Sequence, residues 1–180
     1  MRYIELFLQY SGQYIKTRLA YRSDVVVGFL FDLLQQVVNL TFIFLVFDYT
    51  SSMNGWSRDE VIFIYGYFLI PFSIFMAFFN IWQFNDEYII KGQMDRVLTR
   101  PIHSLYQVLL EKMELESLLG CLTGATIMIF SGFALNISFG IKDMLLFLPF
   151  VIGGVLVYGG VFVFLASLAF FTDSKLSIMP

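Results

Sequence analysis

The sequence predicts an all-α membrane protein, a polytopic bundle of transmembrane helices entered by an amphipathic helix at the interface. Three observations carry this. Of its 180 residues, 58% are hydrophobic, only 14% are charged, and mean hydropathy is +0.77. Soluble domains are about 45–50% apolar and about 25% charged. The charges cluster between four long apolar runs, each near the roughly 20 residues that a helix needs to cross a bilayer. Finally, Phe (22 residues) and Tyr (10) are heavily used, which suits a chain that meets acyl tails and a wet interface.

Residues 2–22 come first. Ile4, Phe7, Leu8, Ser11, Ile15 and Leu19 recur at helical spacing, and Arg2, Glu5, Gln9, Gln13 and Lys16 lie mostly elsewhere. This pattern suits a helix lying in the membrane interface, or a short soluble helix packed on a neighbour; ahead of a membrane span the first reading is preferred. No signal peptide is expected: the opening residues lack an apolar core followed by a small-residue cleavage site.

The spans are expected at about 25–47, 61–81, 115–135 and 144–171. Pro71 falls near the middle of the second, where neighbours must satisfy the carbonyl it frees. The fourth is long enough to tilt or project. Segments 1–24 and 82–112, with Lys175, hold nine of the 11 Lys and Arg residues, leaving Arg58 and Lys142 for the two short loops. The positive-inside rule then puts the N-terminus in the cytoplasm. Segment 82–112 becomes the one sizeable polar connection on that side.

Within the first span, Gly28, Asp32, Gln35, Gln36 and Asn39 form one stripe, at steps of 4, 3, 4 and 7 from Asp32. A carboxylate at that depth must face protein or water. The stripe reads as polar glue at a helix or subunit interface, or as a substrate or proton path. Glue is preferred, because amides do not titrate and only one acid is present. Gly120 and Gly124 in the third span form a small-xxx-small pair that permits close helix approach. Glu111, Glu114 and Glu116, at the entrance to that span, are either solvated or paired with Lys112 and bases on a neighbour.

Catalytic and cofactor patterns are absent from the sequence. It has neither a GxxxxGK[ST] phosphate loop nor HExxH. Cys121 and His103 are single and far apart, so no disulfide or metal set is expected, and Cys121 reads as a small apolar packing residue. No cofactor is expected, and the net charge of −3 gives no basic surface for nucleic acid.

The most informative stretch is Asn85–Lys112, NDEYIIKGQMDRVLTRPIHSLYQVLLEK. Gly92 can end a helix in the left-handed conformation. Met94, Val97 and Leu98 give an apolar face to a very short helix that carries Asp95, Arg96 and Arg100 elsewhere. Pro101 forbids continuation and suits the first turn of the next helix. Leu105, Val108, Leu109 and Met113 are expected to carry that helix unbroken into the third span.

Glu87, Gly92, Asp95, Val97, Leu98 and Pro101 resemble the loop between spans two and three in permease subunits of ABC transporters of the second exporter class. GQMDRVLTRP fits the form G-x-x-D-x-x-L-x-R-P of one subfamily. The resemblance implies that the short helix is a coupling helix docking on a separate ABC ATPase subunit. Gly92, Met94, Asp95, Arg96, Val97, Leu98, Arg100 and Pro101 would set or touch that contact, in a pair of identical or different permease subunits in the plasma membrane, among membrane lipids. The competing reading is a non-transporting scaffold or regulatory subunit. Such permeases usually have six spans, so a count of four implies a fragment lacking two.

The stripe yields a test. Asp32→Asn is expected to preserve assembly and most activity and Asp32→Leu to weaken assembly, measured by co-purification of differently tagged copies; loss of transport in Asp32→Asn with intact assembly would favour the proton or substrate path.

Overall fold

In the computed structural model, residues 2–50, 52–138 and 140–168 are described. Lys175, the last residues of the fourth expected span and the C-terminal residues Asp173–Pro180 lie outside them.

The order is α1 (Arg2–Ala20), α2 (Arg22–Tyr49), α3 (Arg58–Phe79), a π-helical turn (Asn85–Ile90), α4 (Met94–Leu98), α5 (Ser104–Glu111), a 3-10 turn (Leu115–Leu118), α6 (Leu119–Ala134) and α7 (Ile141–Leu168). No β-strand occurs among the described residues. Among the described residues, four segments are long and apolar enough to cross a membrane: Arg22–Tyr49, Arg58–Phe79, Leu115–Ala134 and Ile141–Leu168. These are the four runs seen in the sequence, with ends shifted by a few residues.

The α2–α3 turn closes on a Met53–Trp56 backbone pair, with Asn54 and Gly55 both at positive φ (50° and 91°). Ser57 then caps α3. Its side chain accepts from the Glu60 backbone N–H, and the Glu60 carboxylate accepts from the Ser57 N–H at 2.7 Å. This reciprocal pair satisfies two donors at the helix start that would otherwise lack partners.

Helix α3 is the axis of the bundle. Gly66 on α3 and Gly124 on α6 bring two backbones together: a Cβ built on Gly124 would stand 2.8 Å from the Gly66 carbonyl oxygen, and one built on Gly66 would stand 2.7 Å from the Met128 nitrogen. One helical turn further along, Gly120 lies against Ser73. On another side, Gly154 and Gly159 of α7 lie against Pro71 and Phe79. Phe75, fully buried, meets Phe162 with ring centroids 4.8 Å apart. Bilayer lipid gives helices no hydrophobic reason to associate, so close packing through small residues carries much of the adhesion. Helix α2, by contrast, buries none of its residues.

One expectation fails. The helix through Leu105–Met113 does not run unbroken into the third span. It ends at Glu111, and α6 begins only at Leu119 after the 3-10 turn. The cause is a nonlocal bond: the Glu114 N–H donates to the Ala77 carbonyl at 3.1 Å, near the C-terminal end of α3, with Glu114 at φ −127°, ψ 74°. That conformation is incompatible with a helix. Nor does Pro101 lie in the first turn of α5, which starts at Ser104.

The glycine contacts give a signed pair of predictions. Gly124→Ala overpacks α3 against α6 and should destabilise by about 1–3 kcal/mol. Gly153→Ala meets nothing within 4 Å and should stabilise slightly, by about 0.5–1 kcal/mol, through helix propensity. Thermal unfolding midpoints in one detergent would move in opposite directions.

Candidate functional site

The site is the segment between α3 and α6, folded against one end of the bundle. Gly92 takes φ +68°, a left-handed conformation natural to glycine, and with it the chain leaves the π-helical turn for α4. A five-residue helix has almost no stability of its own, so its position rests on its contacts. Val97 is fully buried in a core with Ile81, Phe84, Tyr88, Val108 and Ala166, and Met94 packs on the same cluster. Asp95, Leu98 and Thr99 face outward; Leu98 is 64% exposed. Arg96 and Arg100 reach sideways, and Gly92 and Pro101 are exposed on either flank.

Both arginines reach Glu111. Arg96 Nη2 donates to Glu111 Oε2 at 2.7 Å, and Arg100 Nη1 to Oε1 at 3.4 Å. Gln107 Nε2 donates to Oε1 at 3.0 Å and the Tyr88 hydroxyl to Oε2 at 3.1 Å. Four donors thus converge on one largely covered carboxylate, which ties α4, the π-helical turn and α5 together. Burial, and then the Glu111 charge, raise the Tyr88 phenol above its ordinary range, so it stays a donor at any physiological pH. Lys112 pairs with Glu87 beside this cluster.

Helix α1 closes over the segment. Tyr3, Phe7, Tyr10, Tyr14 and Arg18 repeat every three or four residues and form its inner face. The Tyr3 ring meets Tyr106 edge-on at 5.2 Å and Phe7 meets Phe78 at 6.3 Å. Tyr10 accepts from Arg100 at 3.3 Å. Tyr14 donates to Glu116 at 2.7 Å, and Arg18 pairs with the same carboxylate at 2.8 Å. Burial and the Glu116 bond push the Tyr14 phenol up to about 12. Ile4, Leu8, Ile15 and Leu19 lie exposed on another face.

The model of a family described as ABC-2 family transporter protein matches residues 33–179. The chain belongs to the ABC-2 transporter family. It is a multi-pass membrane protein of the permease type. Neither the curated proteins nor the solved structures compared with it give a match.

The other sequence-selected residues of this family member lie apart from the α4 cluster. On α2, Asn39 Nδ2 donates to the Tyr65 hydroxyl of α3 at 2.9 Å, that hydroxyl donates to Gln36, and Gln35 donates to Asn39 at 3.2 Å. Asp32 lies further along the stripe. With Gly28 it lines a cavity of about 260 Å³ that Glu114 and Glu116 also line. Gly120 and Gly124 lie in the α3–α6 contact.

The sequence offers Glu111 as solvated or paired with Lys112 and neighbouring bases, and the structure pairs it with Arg96 and Arg100 while Lys112 pairs with Glu87; Tyr88 reads there only as apolar, and Tyr14, Tyr65 and Gly66 do not stand out. The three-four spacing of Tyr3, Phe7, Tyr10 and Tyr14 was a signal available for the α1 contact. Tyr65 and Gly66 carry none without knowledge of what faces them.

Glu114 generates a pH prediction. Burial raises its carboxyl above the ordinary value of 4.5; the Glu116 charge adds to this, while Asn80, Arg18 and Lys112 oppose it. The native state therefore holds this proton more tightly than the unfolded chain, and stability falls as pH rises from the ordinary value through the raised one. Glu114→Gln should lift the unfolding midpoint at pH 7, with the gain vanishing below about pH 4; midpoints measured from pH 4 to 8 check it.

Proposed function

We propose that the chain is a permease subunit of an ATP-driven ABC exporter. It spans the plasma membrane with its N-terminus in the cytoplasm, and it forms one transmembrane domain over residues 1–180. Segment 82–112 is its coupling segment, and α4 docks on a separate ATPase subunit. Closure of two ATPases rocks two permease subunits, identical or different, that open a path between them.

The observation that carries this reading is the two-sided character of α4. Its inner face, Met94 and Val97, is packed into the bundle, so a push on the helix is passed to the bundle. Its outer face presents Leu98, 64% exposed, beside Asp95 and Thr99. An apolar side chain on a polar surface, flanked by groups able to form hydrogen bonds, has the make-up of a small protein contact. Arg96 and Arg100 then serve to hold the helix through Glu111, and Gly92 and Pro101 shape the turns on either side. Membership of the ABC-2 family supports a partner ATPase, since the chain has no phosphate loop of its own. The excess of Lys and Arg in segments 1–24 and 82–112 supports the orientation.

The test is recovery of an ATPase with the tagged chain from gently solubilised native membranes. Leu98→Asp and Asp95→Lys, both at exposed positions, should each cut recovery at least about tenfold, the effect of losing a central interface residue, while leaving the unfolding midpoint unchanged. Equal recovery with both variants would reject α4 as the docking surface. Absence of any ATPase from the native chain would favour the scaffold reading.

A further inference from the structure

We propose that the cleft between α1 and the coupling segment binds the phosphate headgroup of an anionic phospholipid. This rests on the cytoplasmic placement of the segment proposed above and is independent of the ATPase.

The cleft has a volume of about 620 Å³, and its walls carry Tyr10, Tyr14, Arg18, Arg96, Arg100 and Lys112. Four of these are cations. The carboxylates facing them are Glu87 and Glu111 in the wall, Glu116 behind Arg18, and Glu114, whose charge also acts on Arg18 and Lys112. Lys112 is matched by Glu87 and Arg18 by Glu116, but one carboxylate, Glu111, serves both Arg96 and Arg100. A positive charge is thus left over at that point.

It is centred on Arg100. Its two bonds, to Tyr10 at 3.3 Å and to Glu111 at 3.4 Å, are long and share one nitrogen, Nη1. Its other N–H donors have no acceptor among the described residues. A guanidinium with free donors matches the geometry of a phosphate, which takes two parallel N–H bonds. Phenol hydroxyls from Tyr10 and Tyr14 lie in the same walls.

Depth singles out lipid as the source of the phosphate. The exposed apolar residues of α1, Ile4, Leu8, Ile15 and Leu19, fit a helix whose apolar face is sunk to the headgroup–acyl boundary. The cleft, closed on one side by the same helix, then opens among headgroups. The cytoplasmic leaflet is the one rich in anionic lipid, and basic pockets on that side draw such headgroups. An occupied site would clamp α1 to the turn that follows α4 by a phosphate contacting Arg100, making the fixing of the coupling segment sensitive to lipid composition.

The experiment is native mass spectrometry of the delipidated full chain, titrated with short-chain phosphatidylglycerol and, separately, with phosphatidylcholine. Phosphatidylglycerol should be retained at concentrations about five- to tenfold lower. Arg100→Gln and Tyr10→Phe should each reduce that preference, and Arg58→Gln, at the opposite end of the bundle, should leave it unchanged. Tyr10→Phe loses only a hydroxyl, so its result stands even where Arg100→Gln lowers the unfolding midpoint. Equal retention of the two lipids, or an equal loss in Arg58→Gln, would overturn the proposal. Displacement of phosphatidylglycerol by an equimolar amount of inorganic phosphate would overturn the lipid assignment in favour of a free anion. ATPase recovery, read on the same variants, reports separately on the docking proposal.

Discussion

The structure depends on holding a helix of five residues in one place. Alone, Met94–Leu98 would be unfolded. Burial of Val97 among Ile81, Phe84, Tyr88, Val108 and Ala166 fixes its inner face. The Glu111 carboxylate, gripped by Arg96, Arg100, Gln107 and Tyr88, fixes its rotation. The two devices are complementary. Apolar packing is strong but non-directional, whereas charge-assisted hydrogen bonds are directional. Leu98 is left outside because Val97, the residue before it, is committed inward and Arg96, two residues before it, sideways to Glu111.

A pinned helix can transmit force only if what it is pinned to is stiff. The route is not a single long helix. It runs from α4 through the Val97 core and Glu111 to α5, across the Glu114–Ala77 backbone bond to α3, and then through the Gly66–Gly124 contact to α6. Backbone-to-backbone approach leaves little room for compliant side chains, so α3 and α6 form one tightly packed unit. Helix α2 is different. Its Gln36 and Asn39 bond to Tyr65 of α3, none of its residues is buried, and its apolar side chains are exposed or half-exposed, which suits a helix free to shift against lipid or another subunit.

Legibility in the sequence followed the range of the interactions. The spans were readable because each is a contiguous apolar run answering to one length requirement. The limits of α4 were readable because Gly92 and Pro101 act locally on the backbone. The break between α5 and α6 was not: residues 105–113 carry a good helical pattern, and a bond from Glu114 to a residue 37 positions earlier overrides it. Gly124 was visible as one of a small-residue pair, but its contact, Gly66, is a lone glycine on another helix. Glu111 and Arg100 were visible as charges. That one carboxylate serves two arginines emerges only when α4 folds back over α5.

The central claim, that α4 turns one face to a partner and the other to its own bundle, is most directly tested by cysteine cross-linking to the ATPase in native membranes. Cys121→Ser provides a cysteine-free background. Asp95→Cys, Leu98→Cys and Thr99→Cys should cross-link, and Met94→Cys and Val97→Cys should not, giving a helical periodicity in which only the outer face reacts. Cross-linking at Val97→Cys as strong as at Leu98→Cys would contradict the account, because it would mean that the helix is not held against the core.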